Sequence, residues 1–116
     1  MSDNRDRRID YIEFFASDIE ATKSFYTQVF GWKFQDYGPD YTSFSDGRIA
    51  GGFHKGDVPK PSSPLVVIFV DDLNAARERV MAAAGTITKE TFSFPGGSRF
   101  HFQDPNGNEL SAWHED

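Results

Sequence analysis

Ser17–Gly31 reads SDIEATKSFYTQVFG, and Asp71–Gly85 reads DDLNAARERVMAAAG. These two stretches decide the fold, because they are one element written twice. In the first, Ile19, Thr22, Tyr26, Val29 and Phe30 recur at helical spacing. Ser17 and Glu20 have the Ser-x-x-Glu form of a capping box, and Gly31 fits the position where a left-handed residue ends a helix. In the second, Asp71 is placed to cap, Leu73, Ala76, Val80 and Ala84 form the apolar stripe, and Gly85 closes it. Asp18 and Asp72, and Gly31 and Gly85, stand 54 positions apart.

The repeat extends outward from the helices. Strand-like runs precede both, IDYIEFF (9–15) and LVVIFV (65–70). The second is a near-continuous apolar run, as expected of a strand covered on both faces. After the helices, WKFQDYG and TITKETF read as strands, and YTSFSDGRIAGGFH (41–54) aligns with RFHFQDPNGNELSAWH (99–114). Phe44 then matches Phe102, Asp46 matches Asp104, Gly47 matches Gly107, Phe53 matches Trp113 and His54 matches His114. Asp46-Gly47 has the form of a two-residue type I′ hairpin. Asp104-Pro105-Asn106-Gly107 is a longer version with two more residues, Pro presetting φ and Gly taking φ > 0.

Each half therefore reads strand–helix–strand–strand–strand. The expected class is α+β, two βαβββ modules whose mixed sheets curl around a central cup. The expected organisation is a flexible arm at 1–8 and one domain at 9–116. Within that domain module one is 9–54, a Pro- and Ser-rich linker is 55–64, and module two is 65–114. Half a chain leaves a sheet face uncovered, so the linker does not separate independent domains.

Composition narrows the function. The 116 residues carry a net charge of −6, no cysteine, and 12 Phe, 4 Tyr and 2 Trp. Thiolate ligands, disulfides and cysteine nucleophiles are excluded. A nucleic-acid binder would show a basic face. The one basic cluster, Arg5, Arg7 and Arg8, is interrupted by Asp3, Asp6 and Asp10. No apolar run approaches the ~20 residues of a membrane helix. MSDNRDRRID lacks the apolar core of a signal peptide, so a cytoplasmic location is expected. The aromatic surplus suits a core and a concave apolar pocket. There is no G-x-S-x-G elbow, and neither GGF (51–53) nor PGG (95–97) has the strand–loop–helix context of a phosphate loop.

Three segments, SDIEATKSFYTQVFGW, VDDLNAARERVMAAAG and FQDPNGNELSAW, resemble the vicinal oxygen chelate superfamily of glyoxalases, bleomycin-resistance proteins and extradiol dioxygenases. The likeness covers the chain after residue 8 and is strongest to its small, paired-module glyoxalase-like branch. It implies a homodimer. In metal-using members it also implies four ligands, one on the first and one on the last strand of each module. Counted from the helix-starting Asp and from the turn Gly, those positions fall on Tyr11, Gly51, Leu65 and Ser111. None is the His or Glu expected there, and Leu and Gly offer no side-chain donor. No metal and no cofactor are expected.

The ligand-lining residues expected of the cup are Tyr11, Glu13, Phe53, Leu65, Val67, Ser111 and Trp113. Strand alternation places Glu13, Glu109, Ser111 and Trp113 with Tyr11, and turns His54 and His114 away. Glu13 interrupts an apolar-aromatic strand, and a carboxylate there needs a partner such as Arg48 or Arg99 or a raised pKa. Phe100 and Phe102 make one face of their strand apolar, so His101 between them faces either the cup or solvent. Glu13 and His101 are the catalytic candidates if there is turnover. The expected function is metal-free binding of a small apolar or aromatic molecule. The alternative is a lyase or dioxygenase-like enzyme acting on a small oxygenated substrate, with non-standard metal ligands or acid–base residues.

Overall fold

The alternation of extended and helical periods in the sequence becomes ten elements in the computed structural model, which describes residues 5–58 and 63–116. They are β1 (Arg8–Ala16), α1 (Ile19–Phe30), β2 (Lys33–Asp36), β3 (Tyr41–Ser45), β4 (Ala50–Lys55), β5 (Leu65–Phe69), α2 (Leu73–Ala82), β6 (Thr86–Phe94), β7 (Gly97–Gln103) and β8 (Glu109–Glu115). Residues 1–4 of the expected arm and 59–62 of the expected linker lie outside the described residues. The chain divides into two compact units, Tyr11–Leu65 and Met1–Asp10 with Val66–Asp116, so the boundary falls within β1.

In module one the strand order is β2-β3-β4-β1, with β2/β3 and β3/β4 antiparallel and β4/β1 parallel. In module two β6-β7-β8-β5 repeats that pattern, ending in the parallel pair β5/β8. The α+β class and the two βαβββ modules are as the sequence implies. Among the described residues, no helix is long and apolar enough to cross a membrane.

Both helices start one residue later than the capping pattern suggests. Asp18 caps α1 by accepting from the Ala21 amide at 2.9 Å, and Asp72 caps α2 by accepting from the Ala75 amide at 3.0 Å. Asp is as good a cap as Ser, and in both modules it stands one residue nearer the first helical turn. Glu20, expected in a capping box with Ser17, pairs with Lys23 instead. Gly31 ends α1 at φ +72° with its amide on the Thr27 carbonyl, as anticipated. In module two the left-handed residue is Ala84, at φ +69°, and not Gly85. Gly85 is required for a different reason. A Cβ there would stand 2.6 Å from the Val80 side chain and 3.2 Å from the Gln103 carbonyl.

Each helix covers one face of its own sheet. Under α1, Ala16, Ile19, Phe44 and Phe53 are buried, with Phe14, Tyr26, Trp32 and Phe34 packed against them. Trp32 stacks between Tyr26 and Phe44, with ring centroids 4.5 Å away on each side. Under α2 lie Val70, Ala76, Phe100 and Ala112, with Ile68, Leu73, Val80, Ile87 and Phe102. Burying each of the larger of these side chains contributes roughly 1.5–3 kcal/mol, so these two clusters are the main stabilising term of their modules. Strand alternation sends the intervening residues to the opposite, helix-free face, and the candidate residues stand there.

The loops that connect the last two strands of each module correct the sequence alignment. Ser45 pairs with Ala50, and Gln103 pairs with Glu109. The first loop is therefore Asp46–Ile49, not a two-residue turn, and the second has one more residue rather than two. In both, the Asp side chain organises the loop. Asp46 Oδ1 accepts the amides of Arg48 and Ile49, and Asp104 Oδ1 accepts those of Asn106 and Asn108. These hydrogen bonds hold both carboxyls below their usual range; the Asn108 side chain is the largest cause at Asp104. The glycine follows Asp46 directly but trails Asp104 by three residues, so a count from glycine misaligns the strands beyond.

Candidate functional site

The strand registers give the true correspondence. Glu13 faces Gly52 across β1/β4, and Val67 faces Ser111 across β5/β8. The module-one counterpart of Ser111 is therefore Gly52, not Gly51. By the same register Phe53 corresponds to Ala112, and His54 to Trp113. Two expectations change. Phe53 does not share a face with Tyr11 and Glu13; it is 4% exposed and packs on Phe14 and Tyr26 beneath α1. His54 does not turn away; it pairs across β3 with Tyr41 and across β1 with Phe15, on the Glu13 side.

In module one the structure brings Tyr11 and Glu13 together through a residue that the sequence reading missed, Tyr41 at the start of β3. The Tyr41 hydroxyl donates to Glu13 Oε2 at 2.8 Å. Its one proton is thereby committed, so the Tyr11 hydroxyl, 2.6 Å away, is the donor to the Tyr41 oxygen. Two phenols thus run in series onto one carboxylate. Burial, and then the Glu13 charge and the Tyr11 contact, push the Tyr41 phenol far above its ordinary pKa, so it is a neutral donor at any physiological pH. Gly52 leaves the room for this. A Cβ at that position would collide with the Tyr41 hydroxyl and stand 2.6 Å from that of Tyr11. The signal for Tyr41 lay in β3, where Tyr41 and Ser43 alternate with the buried Thr42 and Phe44.

In module two the same face carries different chemistry. Ser111 is fully buried, and its hydroxyl donates to the Phe100 carbonyl at 3.0 Å. Val67 beside it is 3% exposed. Leu65 opens β5 and is half-buried. Trp113 donates its indole N–H to Asp10 Oδ2 at 3.1 Å and stands edge-on to Phe69, 5.6 Å between ring centres. The Arg5 guanidinium lies 3.9 Å over Phe69 and 5.8 Å from Trp113, and it pairs with Asp10 and Glu115. The Arg7 amide bonds the Phe69 carbonyl at 2.7 Å, and Asp6 accepts from the Asp71 amide at 2.8 Å. The aromatic surface expected to stack on a ligand is thus stacked on by the chain's own Arg5.

His101 is 9% exposed, and its Nδ1 lies 3.0 Å from Glu109 Oε2, which also accepts from Thr88 at 3.3 Å. Desolvation lowers its pKa. Glu109 opposes that, and the nearby charges of Arg99 and Lys89 reinforce it. His114 lies on the other side of β8, with Nδ1 2.9 Å from the Val70 carbonyl. In module one a shallow groove runs between α1 and β2, lined in part by Lys23, Trp32 and Phe34. Its Lys23 is already paired with Glu20 and Asp36.

The family model for the Glyoxalase/Bleomycin resistance protein/Dioxygenase superfamily matches residues 8–111. The chain belongs to this superfamily. Among solved structures it is similar to a glyoxalase/bleomycin resistance protein/dioxygenase superfamily member from Vibrio splendidus 12B01. The identity is 20%, 93% of this chain and 98% of that one are covered, and the TM-score is 0.72. The methylmalonyl-CoA epimerase from Mycobacterium tuberculosis is 10% identical over 100% of this chain and 93% of that one, with a TM-score of 0.73. The Mn(II)-bound glyoxalase from Novosphingobium aromaticivorans is 22% identical, with a TM-score of 0.69, and this chain spans 39% of its length. At these identities the likeness is one of fold. No curated protein matches the chain.

Membership in the superfamily raises the question of a metal. With the register corrected, its ligand positions hold Tyr11, Gly52, Leu65 and Ser111. Leu and Gly have no donor, the Ser111 hydroxyl is spent on a carbonyl, and Tyr11 is tied to Tyr41. This donor set does not fit a divalent ion, which asks for imidazole or carboxylate. Among the described residues, no three His, Cys, Asp or Glu gather closely enough to hold a metal elsewhere.

Proposed function

We propose that this superfamily member binds a small molecule without a metal, on the helix-free face of module one. The ligand is a small aromatic or apolar molecule that carries an amine or hydroxyl donor. The observation that carries this reading is the Tyr11–Tyr41–Glu13 hydrogen-bond series and the glycine that clears space for it. The core lies on the other face, and a half-buried charge costs stability unless it is hydrogen-bonded. Two rigid phenol rings and the half-exposed Phe15 offer apolar surface, and the Glu13 carboxylate offers one strong acceptor. Such a site orients a ligand by a single charge-assisted hydrogen bond.

Thermal denaturation with a panel of aryl amines and phenols tests this. A ligand at a hundred times its Kd stabilises the protein by about 2.7 kcal/mol. Glu13→Gln is expected to weaken binding by at least about tenfold, the worth of one charge-assisted hydrogen bond. Equal stabilisation of the wild type and Glu13→Gln would remove Glu13 from the site. The metal-free part has its own check. Protein purified without chelator should hold well under one equivalent of Ni, Zn, Fe or Mn, and a stoichiometric ion would overturn it.

A further inference from the structure

His101 presents a second site, independent of the Tyr11–Glu13 reading. The Glu109 carboxylate beside Nδ1 is an acceptor only, so the ring proton belongs on Nδ1 and the lone pair on Nε2. Nε2 is buried, and no hydrogen-bond partner reaches it among the described residues. A buried acceptor without a donor is rare in folded proteins and calls for an explanation. The groups that face the ring define what could supply the donor. Glu109 comes from β8, Thr88 and Lys89 from β6, and Arg99 from β7, with Lys89 the direct cross-strand neighbour of His101. The Phe92 ring is 5.9 Å from the imidazole. The Lys89 ammonium lies 4.6 Å over Phe92, and the Arg99 guanidinium is 5.4 Å from Phe92 and 5.7 Å from Phe94. The Glu109 carboxylate is engaged by the imidazole, and the Lys89 ammonium rests on an aromatic ring.

We propose that His101 and Glu109 form a binding site for a small hydroxylated carboxylate, whose hydroxyl donates to His101 Nε2 while Lys89 attracts its carboxylate. Glu109 is the positioning residue, since it fixes the tautomer that leaves Nε2 an acceptor. Phe92 and Phe94 favour a planar body. β6 is the edge strand of its sheet, and Lys89 on it is exposed.

The probes are 3-hydroxybenzoate and 3-methoxybenzoate, which differ in the one donor. In nitrogen-15 NMR of the free protein, His101 should show the Nδ1–H tautomer. 3-Hydroxybenzoate should shift Nε2 and bind at least about tenfold more tightly than 3-methoxybenzoate. His101→Phe, with its fold checked by circular dichroism, should bind the two equally. Glu109→Gln should weaken 3-hydroxybenzoate selectively. An Nε2–H tautomer in the free protein, equal affinity of the two probes for the wild type, or no binding of either, would overturn the proposal. The wild-type comparison needs no variant, so it decides even if a substitution prevents folding.

Discussion

Modules one and two are built on one plan and differ most where they are least constrained by folding. Their helix-covered faces do the same work with different side chains, an aromatic stack in one and a mostly aliphatic cluster around Phe100 in the other. Their helix-free faces have diverged in kind. Glu13 corresponds to Val67, Tyr11 to Leu65, Tyr41 to Arg99, Ser43 to His101, and Ala50 to Glu109. Module one thus places its carboxylate on the first strand and feeds it from phenols. Module two places its carboxylate on the last strand and spends it on an imidazole. The lesson is that the two modules share a frame, whereas each helix-free face carries its own set of polar groups. In each module the carboxylate and its donors form one hydrogen-bonded set, Glu13 with Tyr41 and Glu109 with His101 and Thr88.

The comparison can be broken most forcefully at Phe53. If it is core, as its position beneath α1 requires, Phe53→Ala should cost about 3–5 kcal/mol in denaturant unfolding. A loss well under 1 kcal/mol would return it to a ligand face. Exchanging the small residues tests the faces themselves. Gly52→Ser imports the module-two residue into a space filled by two hydroxyls, and overpacking of that kind costs about 1–3 kcal/mol. The reverse change, Ser111→Gly, loses one hydrogen bond and should cost about 1 kcal/mol. Equal costs would mean that the two positions are not the distinct environments described.

A smaller effect concerns pH. The folded pKa of His101 lies below the ordinary 6.5, so the unfolded chain binds its proton first. Stability from this group is complete above about pH 6.5 and falls as pH drops through the folded value, with a slope of at most about 1.4 kcal/mol per pH unit. His101→Gln should flatten that part of the stability profile, as measured by urea unfolding between pH 7 and pH 5. A slope that persists unchanged would assign it to another group. Tyr41→Phe removes the middle of the phenol series for about 1–3 kcal/mol, the same range as Gly52→Ser. It should bring down ligand affinity together with stability, and loss of stability alone would make the series structural.

Most of the fold was legible in the sequence because periodicity and duplication report the same thing twice. The two helices, all eight strands and the Gly31 terminus follow from spacing alone. What was misread has a local cause in each case. Ser17 and Asp71 look like caps, but Asp18 and Asp72 are one residue closer to the helix and serve better. Gly107 looked like a ruler, but glycine goes wherever a loop needs φ > 0, and two loops of different length need it at different places. The aspartates are the fixed points, since their side chains organise the loops. That slip moved Phe53 onto the wrong face and His54 off the right one. At the candidate sites, Glu13 and His101 were visible as polar interruptions of apolar strands. Their partners were not, because Tyr41 and Glu109 meet them only through pairing between strands far apart in sequence or across a loop.

The burial of Trp32 and the tethering of Trp113 have an optical consequence. Each module holds one of the two tryptophans, and their surroundings could hardly differ more. Trp32 is stacked among rings, whereas Trp113 gives its indole proton to a carboxylate and has a guanidinium beside it. Trp32→Phe therefore leaves an emitter whose intensity and colour respond to Arg5 lifting from Phe69. Trp113→Phe leaves one that reports only the loosening of the core under α1. The two single-tryptophan proteins together time the opening of each half of the duplication separately, without an attached dye.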